Sequence, residues 1–272
     1  MPTTDAAQAT PCKICCAEAP VFDVVDAAKN CCEEMGLVLP RSGTLVIYHR
    51  CPACGFVFTR WCDGFTDEDF RREIYNDGYT EVDPLYLDLR PRSSARLLRQ
   101  VFAEACRFDA PPRLVDYGAG SGLLAELLGD AAVTRSFDPF SRDSALAARP
   151  PGRHDVLFAS EVIEHVTQPV ETLAAMRELL RPGGFVLFST MVTPPDIEVL
   201  RASWWYISPR NGHVSVFSRA ALDAACTRAG LRYTPLSDEW HLAERADAPC
   251  DALDRAALLA IIAKLPTGFI TP

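Results

Sequence analysis

The nine residues Leu114-Val-Asp-Tyr-Gly-Ala-Gly-Ser-Gly122 decide the fold. Leu114-Val-Asp116 reads as a buried strand that ends in a carboxylate, and glycines at alternate positions, Gly118, Gly120 and Gly122, lead straight into a helical pattern running to Leu128. Glycine turns sharply and lets a ligand approach the main chain, while a helix start presents free N–H groups. In an open α/β sheet this first strand-to-helix turn is where nucleotide-like ligands sit. The spacing is G-x-G-x-G and departs from the G-x-G-x-x-G of dinucleotide-binding loops. Asp138 follows 22 residues after Asp116, at the end of the next predicted strand (Val133 to Asp138), where an acid can accept hydrogen bonds from both ribose hydroxyls.

Outward from the loop, apolar strands alternate with amphipathic helices. Strands are expected at Asp155 to Ser160, Phe185 to Thr190, Leu231 to Pro235 and Trp240 to Ala243. A helix is expected from Pro169 to Leu180, stopped by Pro182-Gly-Gly184, and another from a Ser218 cap to Gly230. That alternation predicts an α/β fold with a mostly parallel sheet. The domain reading is a cysteine-rich module over 1–66, a helical connector over 67–112 with a helix from Ser93 to Cys106, the α/β domain over 113–246, and a C-terminal helix (about Asp251 to Lys264) and tail over 247–272. For that last helix, core packing and dimerisation both stay open.

The composition narrows the function. Of 272 residues, 49% are hydrophobic, enough for a substantial core, and the formal charge is −9. An acidic surface repels phosphate backbones, so bulk nucleic acid and anionic membranes are not expected partners. No apolar run approaches the roughly 18 residues of a membrane span, and the N-terminus has no signal-like character, so the expected location is cytoplasmic.

Seven of the eleven cysteines lie in the first 54 residues, and four form two Cys-x-x-Cys pairs, Cys12/Cys15 and Cys51/Cys54. In a reducing compartment this reads as a structural zinc site before it reads as disulfides. The 35 residues between the pairs exceed the usual spacing, and Cys16, Cys31, Cys32, Cys62 and His49 remain over.

The ordered set Asp116-x-Gly118-x-Gly120-x-Gly122, then Phe137-Asp138-Pro139, then Asp155-Val-Leu-Phe-Ala-Ser-Glu161-Val-Ile-Glu164-His165, then Leu179-Leu-Arg-Pro-Gly-Gly-Phe-Val-Leu-Phe-Ser-Thr190 resembles the motifs of class I S-adenosylmethionine-dependent methyltransferases. The resemblance spans about Leu114 to Arg245. It implies a Rossmann-like seven-stranded sheet of order 3-2-1-4-5-7-6, with the third strand abbreviated because only 16 residues separate Asp138 from Asp155. It also implies S-adenosylmethionine as cofactor, contacted by Asp116, Gly118, Ala119, Gly120, Gly122, Asp138, Pro139, Ser160 and Glu161. Upstream aromatics, Tyr75, Tyr79 and Tyr86 with Arg90, are expected to cover it. A zinc-ribbon-like four-cysteine module ahead of such a domain resembles the antibiotic-sugar C-methyltransferases and implies a sugar or glycan precursor as acceptor.

Methyl transfer to a hydroxyl needs alignment and a route for the proton. Glu164, His165 and His213 are the candidate catalytic residues, as acid/base groups. Glu161, Glu164, His165 and His213 also resemble the divalent-metal site of ubiquinone-pathway O-methyltransferases and small-RNA 2′-O-methyltransferases, which would hold an acceptor's hydroxyls. The expected activity is thus methyl transfer to an oxygen or carbon of a small polar acceptor. Two rivals stay open: a nicotinamide-dependent oxidoreductase, and a zinc-ribbon adaptor whose α/β domain binds cofactor without turnover.

Overall fold

The computed structural model describes residues 9–141 and 143–266. Two short strands, β1 (Thr10–Pro11) and β2 (Glu18–Ala19), pair across the first Cys-x-x-Cys turn. An antiparallel sheet follows from β3 (Val21–Asp26), β4 (Leu45–Arg50) and β5 (Val57–Thr59). Its alternation is clear in β4, where Val46 and Tyr48 are fully buried between the exposed Leu45 and Ile47. The connector holds α1 (Asp67–Glu73), α2 (Tyr79–Val82) and α3 (Leu89–Glu104). Thr66 and Asp69 start α1 with a reciprocal capping box. Helix α3 begins four residues before the expected Ser93, because Pro91 falls in its first turn, where a missing N–H costs nothing.

The rest of the chain is β6 (Arg113–Tyr117), α4 (Leu123–Leu128), β7 (Val133–Phe137), α5 (Ser144–Ala147), β8 (His154–Ser160), α6 (Pro169–Leu179), β9 (Leu180–Ser189), α7 (Ile197–Leu200), β10 (Ser215–Val216), α8 (Arg219–Arg228), β11 (Leu231–Pro235), β12 (Trp240–Arg245) and α9 (Arg255–Ile262). Ser218 caps α8 as expected, accepting from Ala221 N. Six strands form the main sheet in the order β11-β12-β9-β8-β6-β7, with β7, β6, β8 and β9 parallel and β12 antiparallel to both its neighbours, β9 and β11. The expectation of seven strands is therefore corrected: among the described residues no strand lies beyond β7. Among the described residues from Asp138 to Arg153, α5 is the only helix or strand. A crossover to a parallel neighbour takes about a dozen residues or more, so this stretch is too short to reach a further strand and return.

Helices cover both faces of the sheet. On one side α3, α4 and α9 bury Leu97, Leu98, Leu128, Leu258 and Ile261 against Leu114, Val156 and Phe185. The C-terminal helix thus packs into this core; the tail beyond residue 266 lies outside the described residues. On the other side α6 and α8 bury Leu173, Met176 and Leu222 against Val115, Leu157 and Val186. Cys12, Ile14, Cys54, Phe56 and Phe58 join this second core, so the cysteine-rich segment shares apolar packing with the main sheet. The two are also joined by hydrogen bonding. Strand β10, drawn from between β9 and α8, pairs with β5 and completes a four-stranded sheet of order β10-β5-β4-β3.

Candidate active site

A cavity of about 590 Å³ opens at the carboxyl ends of β6, β7 and β8, a size suited to a cofactor and a small acceptor. The glycine loop forms one wall. Gly118 and Gly120 hold φ of +78° and +55°, and a side chain at either would collide at 2.6 Å, with Val162 at Gly118 and with the Tyr86 hydroxyl at Gly120. Only glycine fits there. Asp138 closes the loop, accepting from Gly120 N and from Phe140 N, both at 2.9 Å. Asp116 lines the cavity at the end of β6 with its Oδ2 unpartnered; burial first, and then the charge of Asp138, push its carboxyl up to about 7.

The opposite wall is aromatic. Tyr75, Tyr79 and Tyr86 line it with Arg90, and Phe65, Phe70 and Phe140 join them. Rings of Phe70 and Tyr75 lie 5.1 and 5.0 Å from Phe140. Arg90 is held in place by a bidentate pair with Asp83, at 3.0 and 2.9 Å.

Past β8 the chain turns into an acid–imidazole cluster. Glu161 adopts φ +53°, unusual for a residue with a side chain, and is held there by its N–H bond to Ser189 Oγ at 2.9 Å. The Tyr206 hydroxyl reaches both acids, at 2.8 Å to Glu164 and 3.1 Å to Glu161. Burial raises both carboxyls, and Glu161's charge drives Glu164 further up, so the pair tends to keep a proton. Burial, then the charge of Arg90, depresses His165 to about 3, and burial with His165 lowers His213. Both imidazoles are neutral. His213 donates from Nδ1 to Tyr206 O at 2.8 Å, which leaves Nε2 as a lone pair. Glu161 Oε1, Glu164 Oε2 and His165 Nδ1 are buried without a hydrogen-bond partner.

Glu164, His165 and His213 offer ligand atoms within 4.8 Å of one another. Neutral imidazoles, a carboxylate, unpartnered lone pairs and a ring N–H given to a backbone carbonyl are what a divalent cation needs. Glu161 adjoins this trio through Tyr206 and is not one of the three.

The four cysteines Cys12, Cys15, Cys51 and Cys54 also converge, with sulfur–sulfur separations of 3.7 Å (Cys12–Cys54), 3.4 Å (Cys15–Cys51) and 3.7 Å (Cys15–Cys54). A tetrahedron with zinc–sulfur bonds of about 2.3 Å has edges of about 3.8 Å, so the residues fit zinc. The two turns are built alike: Cys16 N bonds Cys12 O and Gly55 N bonds Cys51 O, with Cys16 and Gly55 both at positive φ. Cys16 therefore occupies the turn position that glycine takes in the second pair, and Cys31, Cys32 and Cys62 are buried elsewhere. All eleven cysteines are free thiols.

Residues 86–236 match a family model described as a methyltransferase domain. The chain belongs to that methyltransferase family. It is 28% identical over 192 residues to the ubiquinone biosynthesis O-methyltransferase of Methylococcus capsulatus, covering 57% of this chain and 81% of that one. To the enzyme of the same name from Paraburkholderia xenovorans it is 32% identical over 169 residues, 47% and 72% of the two chains. Among solved structures, the Burkholderia thailandensis 1,6-didemethyltoxoflavin-N1-methyltransferase, with 1,6-didemethyltoxoflavin and S-adenosylhomocysteine bound, aligns at TM-score 0.46 and 13% identity over 76% of this chain and 96% of its own.

In this methyltransferase Asp116, Gly118, Ala119, Gly120, Asp138, Pro139, Ser160, Glu161 and His165 all line the cavity. Gly122 sits behind the loop and starts α4, while Glu164 and His213 lie behind the cavity wall, 0% and 5% exposed. Sequence reasoning missed Tyr206, because an aromatic in Trp204-Trp-Tyr206 reads equally as core, lid or stacking platform. Its tie to both acids is a long-range contact with no local signal. Among the described residues no helix is long and apolar enough to cross a membrane.

Proposed function

We propose that this methyltransferase uses S-adenosylmethionine to methylate a hydroxyl oxygen of a small acceptor, and that the four-cysteine cluster holds a structural zinc. The observation that carries the reading is one cavity lined by the bare glycine loop and by Glu161 and His165, with Glu164 and His213 directly behind that wall. S-adenosylmethionine, when bound, supplies an electrophilic methyl group on a sulfonium. Asp116 and Arg90 offer opposite charges to the two ends of its amino-acid part, and Asp138 offers a carboxylate to its ribose.

The cavity is also lined by Phe65, Phe70, Tyr75 and Phe140, and the Tyr75 ring lies 6.2 Å from that of His165, which favours a planar hydroxylated molecule over a sugar. The O-methyltransferase relatives support oxygen as the methylated atom. Burial lowers His165 and weakens it as a base, while the unpartnered His165 Nδ1 and Glu164 Oε2 stand beside His213 with ligand atoms within reach of one ion. That favours the metal-assisted version of the chemistry over simple acid/base work. A divalent cation there would grip the acceptor oxygen and make its hydroxyl more acidic. Glu164, His165 and His213 would hold it, Tyr206 would orient Glu164, and the aromatic wall would exclude water. The rival dehydrogenase and adaptor readings lack a comparable use for these residues.

The test is calorimetric titration of the purified chain with S-adenosylhomocysteine, then a screen of catechols, phenols and sugars with labelled S-adenosylmethionine, with and without added Mg²⁺ or Mn²⁺. Micromolar cofactor binding and label transfer to a catechol or phenol support the reading. A folded protein that binds no cofactor sinks it.

A further inference from the structure

The loop that bears Tyr206 and His213 is gripped from outside the family-matched domain. Lys29, between β3 and β4, sends its ammonium to Ile207 O at 2.6 Å and Trp204 O at 3.2 Å, capping the turn that contains Tyr206. Tyr48, fully buried in β4, donates its hydroxyl to His213 O at 2.7 Å. Cys31 N donates to Asn211 Oδ1 at 2.9 Å, and Arg210 N to Lys29 O at 3.0 Å. Strand β10, directly after His213, pairs with β5. His213 is thus held at three points: its ring Nδ1 on Tyr206 O, its backbone carbonyl under the Tyr48 hydroxyl, and the chain just after it by the Val214 N bond to Glu164 O at 2.9 Å. By contrast Gly118, Gly120 and Asp138 are bound within the α/β domain and the connector.

We infer that Lys29 and Tyr48 are positioning residues for methyl transfer: the cysteine-rich module supplies the clamp that places His213 and Tyr206 against Glu164 and His165. The module is then part of the acceptor half of the site and has no share in the cofactor half. A half-buried ammonium suits this task because it satisfies two carbonyls of one turn at once, with charge-assisted bonds roughly twice as strong as neutral ones. The inference rests on the proposed reaction only for its turnover reading.

The experiment compares the full-length, zinc-loaded wild type with Tyr48→Phe, Lys29→Met, Lys29→Arg and a control, Glu198→Ala, which breaks the exposed Arg50–Glu198 pair on the same seam. Three quantities are read: affinity for S-adenosylhomocysteine by calorimetry, the ring ¹⁵N signals of His213 by long-range proton–nitrogen NMR, and kcat and KM for the acceptor that the screen yields. The expected result is unchanged cofactor affinity in every variant. The Nδ1–H tautomer of His213 should give way to a mixture in Tyr48→Phe and Lys29→Met, with kcat about tenfold lower, the equivalent of one lost hydrogen bond. Lys29→Arg should recover most of the loss, and the control should match wild type. His213 signals identical to wild type in a folded Tyr48→Phe overturn the inference, and so does a loss of cofactor affinity that parallels kcat. A wild type that binds no cofactor refutes the proposed reaction instead, and the His213 signals still decide the clamp.

Discussion

Replacing Asp116 with Asn should stabilise the ligand-free protein while crippling its cofactor site. Asp116 is 5% exposed, its Oδ2 has no partner, and its carboxyl is raised from 3.8 to about 7 by burial and then by Asp138. A group that binds its proton more tightly when folded contributes stability that is full below the unfolded pKa and is lost as pH rises through the folded one. A rise of about three units corresponds to about 4 kcal/mol lost between roughly pH 4 and pH 7. The Asn variant has no such ionisation, so its stability advantage should widen by about 2–3 kcal/mol between pH 5 and pH 8. Urea unfolding of both ligand-free proteins across that range measures the gap, and calorimetry with S-adenosylhomocysteine measures the loss, expected to be at least about tenfold for a charged hydrogen bond. Stability curves that run parallel in pH, or cofactor affinity equal to wild type, would refute the reasoning.

Gly120→Val places a side chain into Tyr86 at a left-handed φ, so calorimetry should show cofactor binding at least about 100-fold weaker, with circular dichroism unchanged. Elemental analysis should find one zinc per chain at the four cysteines; removing it with a strong chelator should lower Tm by about 10 °C, since metal binding is coupled to folding. Glu164→Gln is nearly isosteric with a carboxyl whose titration burial pushes up, so urea unfolding should change by less than about 1 kcal/mol, while turnover with Mg²⁺ or Mn²⁺ falls at least about 100-fold. Leu157→Ala in the central strand β8, where Leu157 is 0% exposed, should cost about 2–5 kcal/mol in urea without altering zinc content.

The parts of the molecule that were legible in the sequence are those with local causes. Alternation of strands and helices, the Ser218 cap, the three glycines and the paired cysteines each depend on residues within one turn of one another, and the structure shows them where the pattern places them. The seventh strand, absent among the described residues, is half legible: the stretch after Asp138 is short, but a motif set carries an expected strand with it. What stayed hidden depends on distant partners. Nothing around Tyr206 announces that its hydroxyl bridges two acids some forty residues upstream, and nothing around Lys29 announces two carbonyls near residue 205. Cys31 and Cys32 read as spare ligands in the sequence; both are buried in the seam away from the four-cysteine cluster, where the Cys32 thiol donates to Val82 O and the Cys31 N–H to Asn211 Oδ1.

Strand β10 has a consequence for how the protein is made. A ribosome releases β3, β4 and β5 long before Ser215 and Val216 exist, so the first sheet leaves the exit tunnel with one edge of its ladder open and Phe58 and Val57 awaiting a partner. Non-local pairing of this kind slows folding and leaves an unpaired edge exposed to other chains. Zinc capture by the two cysteine turns, as proposed above, would need only the first 54 residues and would come early, holding β5 in register until the later strand arrives. Expression in zinc-poor medium should therefore shift newly made protein toward aggregates, and a fragment ending at residue 66 should not behave as an independent domain.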